Sequence, residues 1–571
     1  MNEDIQVYRH SASHILAQAV KELYPEVKLG IGPATESGFY YDFDRDSPFH
    51  QEELEKIEAR MSEIVERDIP IVRQEMDKEE ARVIFTRLKE KYKLELISEI
   101  PEPKVTLYSQ DKFIDLCRGP HVESTGQIKA FKLLSIAGAY WRGDPSRGML
   151  QRIYGTAFKT KEELDEYLHN LEEARKRDHR YLGQELELFF IDEKAGPGLV
   201  IYQPKGAMLR HLLEDYERKE HLARGYKLVY GPAILKKDLW ERSGHYEHYR
   251  DLMYFTTVGE EEYALKPMNC LAHMLIFKSR LRSYRDLPIR LFELGTVHRY
   301  EKSGVLHGLL RLRAFTQDDA HIFCREDQIV EEIKAVLDFV RDVMAVFNFS
   351  YTLEISTRPA HSIGRDEDWT RAISGLKRAL EEKGFSYQIN EGEGAFYGPK
   401  IDIVLEDALK RKWQCATIQC DFTMPERFDL NFINNRGEKE RPIMLHRVIL
   451  GALERFIGIL IEHYAGAFPL WIAPVQVKVL TISEKYNNYA GDLARALAKE
   501  GVRYELDLGS EKLGYKIRQG RLERVPYLII IGEKEVREGT ISLRSRERGD
   551  EGKTTLPDLV KRIKEEVVLK K

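Results

Sequence analysis

Residues 290–324, RLFELGTVHRYEKSGVLHGLLRLRAFTQDDAHIFC, constrain the fold more than any other stretch. Apolar residues recur at Leu291, Leu294 and Val297 and again at Leu310, Leu312 and Ala314, around a polar, glycine-containing EKSGVLHG. The pattern predicts two antiparallel strands joined by a loop too long for a two-residue turn. One strand then carries Arg299, and the other carries Arg311 and Arg313 at a spacing that points both to one side. Guanidinium forks on a rigid sheet suit a multiply charged phosphate, because each pairs two oxygens at once. A salt-bridged surface hairpin shows the same charges. It does not need the tail that follows, Thr316-Gln317-Asp318-Asp319-Ala320-His321, which sets polar groups and a candidate metal ligand just beyond the arginines.

A chain of 571 residues exceeds what one hydrophobic core organises, so about three or four domains are expected. Hydrophobic content of 43% with 32% charged residues describes a globular chain rather than a disordered one. A formal net charge of -5 excludes a chain that is basic throughout and leaves a local basic surface open. The odd, scattered cysteines Cys117, Cys270, Cys324, Cys415 and Cys420 fit a reducing, cytoplasmic setting better than a disulfide framework. The start, MNEDIQVYRH, is no signal peptide, and charges such as Glu454 and Arg455 interrupt the apolar runs, so no membrane span is expected.

In the first region, HSASHILAQAVKELYP places His10 and His14 on one face of an amphipathic helix. FIDLCRGPHV adds Asp115, Cys117 and His121, with Gly-Pro forcing a turn between the last two. Three imidazoles and a thiol fit a tetrahedral zinc site, or a hydrolytic pocket in which His and Asp handle protons. The helix lacks the glutamate of H-E-x-x-H, which excludes the usual metalloprotease arrangement. A charged, proline-free stretch from Lys159 to about Gly183 reads as a connecting helix, and HRVILGALERFIGILIEHY as an apolar helix holding Arg455. AFYGPKIDIVLEDALKRKWQCATIQCDF reads as two strands about a charged turn. From about Pro474 the pattern is the βαβ rhythm of a small parallel α/β domain. Its basic residues Lys512, Lys516, Arg518, Arg521 and Arg524, with Arg544, Arg546 and Arg548, are expected to form a phosphate-backbone surface.

HSASHILAQAV, FIDLCRGPHV, LKPMNC, VHRYEKSGVLHGLLRLRAFTQDDAHIFC, AFYGPKID and FPLWIAPVQ together resemble the threonyl-tRNA synthetase family of class II aminoacyl-tRNA synthetases. The resemblance covers essentially the whole chain. The hairpin looks like class II motif 2, the segment from Gly225 to Pro232 like motif 1, and the one from Gly451 to Arg455 like motif 3. The implied architecture is α+β and multidomain: an N-terminal α+β editing domain (1–160), a linker helix (161–183), a class II antiparallel-sheet catalytic core (184–473) and a C-terminal α/β anticodon-binding domain (474–571). A cytoplasmic homodimer formed partly through motif 1 is implied, in a form lacking the small ubiquitin-like domain that precedes the editing domain in many members.

The resemblance also implies roles. Arg299 would hold the α-phosphate of ATP and the amino-acid carboxylate, Glu301 adenine and Arg311 the γ-phosphate, with Phe315 and Arg455 sandwiching the purine and Mg²⁺ accompanying ATP. His245 would serve transfer to the tRNA. Cys270, His321 and His446 would bind one zinc ion per chain, whose open positions take the amino and hydroxyl groups of L-threonine. Asp319, Tyr397 and Gln419, with Gln317, Lys400 and Gln414, would line the threonine cavity. A metal that demands a hydroxyl rejects valine, which an apolar pocket separates from threonine only about a hundredfold. Serine passes that test, and His10, His14, Lys93, Asp115, Cys117 and His121 would hydrolyse seryl-tRNA(Thr) in a metal-free pocket. Glu535 and Arg544 would read anticodon bases of tRNA(Thr). Leu271, where the family usually has proline, and Ala452, where motif 3 commonly has a small hydroxyl residue, depart from the pattern without removing a ligand or an arginine.

Overall fold

The computed structural model describes residues 3–144 and 146–570, and the chain divides into two compact units between Glu172 and Glu173. In the first unit, Ile15, Leu16, Ala19 and Val20 recur at helical spacing, and the helix Glu3–Leu23 buries them completely. That face packs on an antiparallel sheet in the order Lys28–Leu29, Phe39–Asp44, Met149–Phe158, Ala130–Tyr140, and the helix Gln51–Glu66 joins the same core. A second sheet, of Val72–Asp77, Lys104–Gln110 and Phe113–Leu116, covers a smaller core of Ala81, Phe85, Ile97, Val105 and Leu107. Its last strand leads directly into Cys117.

The expected connecting helix is two helices, Lys161–Arg177 and His179–Glu185, because the Asp178 side chain accepts the Arg180 amide and caps the second.

The second unit is built on an eight-stranded sheet in the order Lys227–Leu228, Ile289–His298, Ala314–Cys324, Ile443–Val448, Lys412–Asp421, Lys400–Glu406, Ser350–Ser356, Gln388–Asn390. All neighbours are antiparallel except the pair at each edge. The helices Ile329–Val346, Asp366–Glu382 and Leu453–His463 bury their apolar sides in its main core. The hairpin strands Ile289–His298 and Ala314–Cys324 pair from Ile289 opposite Phe323 to His298 opposite Ala314. All three arginines therefore lie in the connection, beyond the strands expected to carry them. The Leu310–Arg313 segment leaves the sheet because residues 307–311 form a tight turn, closed by Leu310 N to His307 O at 2.9 Å, with Gly308 at a φ of 47°. The HRV of the expected apolar helix belongs to the strand Ile443–Val448; the helix starts at Leu453, after a left-handed Gly451.

The C-terminal domain has the expected parallel strands, Tyr504–Asp507, Val477–Thr481 and Tyr527–Ile531, and adds two antiparallel ones, Ile541–Ser545 and Gly549–Thr554. Two of the basic residues assigned to its surface are turned inward. The Lys516 ammonium, 1% exposed, donates to the carbonyls of Thr481, Asp507 and Gly509. Arg546 donates to the carbonyls of Arg524 and Phe468. Both close strand and loop ends, so the exposed basic surface reduces to residues such as Lys512, Arg518, Arg521 and Arg548.

Candidate functional site

Sheet register assembles the site of the second unit. His321 pairs with His446, His446 with Gln419, and Gln419 with Lys400, so four side chains form one row across neighbouring strands. Along the hairpin strand, Phe315, Gln317, Asp319 and His321 share that row's face by the two-residue period. The alternate residues serve the opposite side. The Asp318 carboxylate accepts the amides of Ile449, Leu450 and Gly451 at 2.6, 3.1 and 2.8 Å, which ties the strand to the turn before the Leu453 helix. Burial pushes its carboxyl up to about 7 against the opposing Arg447 charge.

At one end of this face lies a cavity of about 380 Å³ whose lining includes Arg299, Glu301, Arg311, Phe315, Gln317, Gln414 and Arg455. The Arg299 guanidinium stands 5.3 Å from the Phe315 ring centre, and its Nε donates to Pro267 O. Arg311 pairs with the Glu301 carboxylate at 3.1 Å. Arg455 Nε donates to Leu310 O at 3.0 Å. Arg313 turns away: it is 8% exposed and donates to Glu301 O. Behind the cavity, Glu454 accepts Thr316 N and Arg210 Nη1, each at 2.7 Å. Cys415 also lines it, its thiol pushed up to about 12 by burial.

At the other end, His321 Nε2 and His446 Nδ1 approach to 3.0 Å. Their outer nitrogens are both engaged: His446 Nε2 with Asp421 Oδ2 at 2.8 Å, and His321 Nδ1 with His273 Nδ1 at 2.8 Å. His273 Nε2 in turn faces Glu293 at 3.5 Å. Carboxylates behind imidazoles are the arrangement that orients metal-ligating histidines, so the donor set fits zinc. Cys270 opens the helix Cys270–Lys278 and is buried. Its thiol is not gathered with the two imidazoles into a ligand cluster within 4.8 Å, and burial, then Asp319, pushes its pKa up. Asp319, also pushed up by burial, accepts Asn269 Nδ2 at 3.0 Å. Tyr397 OH donates to Gln419 Oε1 at 2.7 Å, and Lys400 and Gln414 both contact the Asp402 carboxylate. His245 is buried between Ser243 Oγ and Met268 Sδ, each 2.7 Å away; burial, with His446 and Arg299 nearby, brings it down to about 3.

The first unit gathers His10, His14, Cys117 and His121, whose ligand-type atoms all lie within 4.8 Å of one another. Cys117 Sγ is 3.3 Å from both His10 Nε2 and His121 Nε2. Gly119 permits the turn: it has a φ of 68°, and a Cβ there would fall 2.1 Å from Tyr108 OH. Burial pushes the His10, His14 and His121 imidazoles down and the Cys117 thiol up to about 11, so all four are neutral near pH 7. Asp115 sits 3.8 Å from His14 Nε2 and pairs with Lys93 at 2.6 Å. Tyr41 OH, bonded to both Asp115 and Lys93, completes this set. A cleft of about 750 Å³ lined by Val7, His10, Pro33, Thr35, Gly119 and Pro120 opens beside it.

In the C-terminal domain, Glu535 accepts Gly532 N at 2.9 Å, and Arg544 pairs with Asp550 at 3.4 Å on the neighbouring strand.

Tyr41, Asp402, Asp421 and His273 escaped the sequence reading. They lie in strands or helices whose periodicity marks only their burial. Tyr41 alone carried a local signal, a tyrosine among the buried aromatics of FYYDF.

An antiparallel sheet carrying an arginine-lined cavity, closed by the Leu453–His463 helix, is the catalytic core of a class II aminoacyl-tRNA synthetase. Residues 254–464 match the model of the tRNA synthetase class II core domain (G, H, P, S and T), residues 476–566 an anticodon binding domain, and residues 105–154 the threonyl and alanyl tRNA synthetase second additional domain. The threonine–tRNA ligase of Pelobacter propionicus is 60% identical over 95% of this chain and 86% of its own length. Among solved structures, the RNA binding domain of threonyl-tRNA synthetase from Cryptosporidium parvum Iowa II aligns with a TM-score of 0.66 at 43% identity, covering 68% of this chain and 98% of its own. A putative threonyl-tRNA synthetase from Aeropyrum pernix gives 0.60 at 30% identity, covering 69% and 96%. The chain belongs to the threonine–tRNA ligase family. Among the described residues, no helix is long and apolar enough to cross a membrane.

Proposed function

We propose that this chain attaches L-threonine to tRNA(Thr) through threonyl-adenylate and hydrolyses seryl-tRNA(Thr) made in error. The observation that carries the reading is the shared face of one strand, on which Phe315 and Gln317 line the cavity while Asp319 and His321 lead to the paired imidazoles. The cavity takes ATP with Mg²⁺: Arg299 and Arg311 hold phosphate charge, Phe315 and Arg455 bracket the purine, and Glu301 contacts adenine. The threonine carboxylate attacks the α-phosphorus and displaces pyrophosphate as the bond to the β-phosphate breaks, and preorganised guanidinium groups stabilise the charge that develops. Cys270, His321 and His446 would hold zinc, which when bound would supply open coordination positions for the threonine amino and hydroxyl groups. Asp319 accepts from the hydroxyl, while Tyr397, Gln419, Lys400 and Gln414 fix the rest of the amino acid. His245, neutral and beside Arg299, serves transfer to the tRNA ribose.

Editing belongs to the first unit. Its neutral imidazoles can accept a proton from the water that attacks the seryl ester, and the Lys93–Asp115–Tyr41 set holds the charge of the pocket in place. The pocket is read as metal-free, the Cys117 thiol lying within hydrogen-bond reach of His10 and His121. Glu535 and Arg544 read the anticodon. The active form is a cytoplasmic homodimer: Leu228, Tyr230, Ile234, Phe255 and Val258 leave an exposed apolar surface around motif 1, with Tyr230 88% exposed.

Aminoacylation of tRNA(Thr) transcript with labelled threonine tests the reading. Charging that requires ATP is expected; no charging with threonine, under conditions that charge a control synthetase, would refute it.

A further inference from the structure

We infer that His179 is a positioning residue for ATP, holding the turn 307–311 against the cavity from behind. It rests on the reading of that cavity as the ATP site. His179 is wholly buried and outside the cavity lining. Its Nδ1 lies 2.6 Å from Glu462 Oε1, and its Nε2 accepts the Leu309 amide at 3.0 Å. Glu462 Oε2 is paired with Arg411 at 2.5 Å. Burial pushes the Glu462 carboxyl up, but the His179 hydrogen bonds and the Arg411 charge outweigh it and keep it below the usual range. An ionised carboxylate at Nδ1 places the proton there and leaves the Nε2 lone pair for Leu309.

The turn receives a second hold on its other side, where Arg455 Nε donates to Leu310 O at 3.0 Å. Leu309, Leu310 and Arg311 all line the cavity, so fixing this turn fixes where the Arg311 guanidinium starts. Gly308 lets the chain close over the imidazole: a Cβ there would meet His179 Nε2 at 2.1 Å. Asp178, His179 and Glu462 also have the spacing of a metal cluster. Both His179 ring nitrogens and both Glu462 oxygens are already engaged, however, which favours an orienting relay over a cation site.

Two variants of similar size separate the two ends of the relay. His179→Asn keeps a donor near Glu462 but has no atom at the Nε2 position; His179→Gln places an acceptor there. In threonine-dependent ATP–pyrophosphate exchange, His179→Asn should raise the KM for ATP by about tenfold, the worth of one buried hydrogen bond. The KM for threonine should stay within about twofold, and His179→Gln should recover most of the ATP affinity. Equal effects of the two variants, or a fall in kcat at unchanged KM for ATP, would overturn the inference. A wild-type enzyme that shows no exchange at all would instead remove the ATP-site reading, and the inference with it.

Discussion

His321 Nε2 and His446 Nδ1 face each other at 3.0 Å from directly opposed positions on neighbouring strands. The other nitrogen of each ring is held, by His273 and by Asp421. Ring rotation is therefore restrained at both residues, and the two inner nitrogens are held facing each other.

The purified chain should contain about one zinc ion per chain, as a three-ligand open site requires. Cys270→Ser should lose it, measured by elemental analysis after dialysis. About two ions per chain would assign a metal to His10, His14, Cys117 and His121 as well, and would contradict the metal-free editing pocket.

His10→Ala should leave threonine charging intact while slowing deacylation of seryl-tRNA(Thr) by about a hundredfold or more, the scale of a lost proton acceptor. The measurement is release of labelled serine from preformed ester. Clearance at the wild-type rate would remove His10 from the chemistry.

The same buried imidazoles make the first unit sensitive to acid. His10, His14 and His121 all have folded pKa values pushed below their unfolded value by burial. Below about pH 6.5 the unfolded chain binds protons that the folded unit excludes, so stability rises with pH and is lost as pH falls. Each group contributes a slope of about 1.4 kcal/mol per pH unit in that window. Thermal unfolding between pH 8 and 5.5 should show a steeper drop for wild type than for His14→Gln. Parallel curves would mean that His14 is not held neutral.

Glu454→Ala removes the acceptor for both Thr316 N and Arg210 Nη1 and leaves the buried strand amide unsatisfied, while Arg210 keeps Glu214 and the Thr316 hydroxyl. It should cost about 1–3 kcal/mol of stability, the penalty of a buried donor without an acceptor, read as a lower denaturation midpoint, together with weakened adenylation. Wild-type stability would show that the hairpin strand and the motif 3 helix are joined by other contacts.

What the sequence made legible was periodicity. The helical spacing of His10 and His14 put both imidazoles on one face before any partner was known, and the strand pattern around residues 291–297 placed the hairpin. The partners were another matter. Arg313 has the same two-residue spacing from Arg311 that a strand would give, yet the turn at Gly308 sends it to Glu301 O. Lys516 reads as one more surface cation, and only the sheet topology shows three carbonyls converging on its ammonium. Tyr41, more than 50 residues from both Lys93 and Asp115, joins them where two separate sheets and the helix Lys91–Glu99 pack together, which no local pattern announces.

The central claim is that one strand couples ATP chemistry to recognition of a hydroxyl group. Amino-acid-dependent ATP–pyrophosphate exchange measured side by side with threonine, serine and valine tests it most directly. The account predicts exchange with threonine, weaker but clear exchange with serine, and almost none with valine. Exchange with valine comparable to that with serine would contradict it, because a pocket that admits valine is not selecting the hydroxyl.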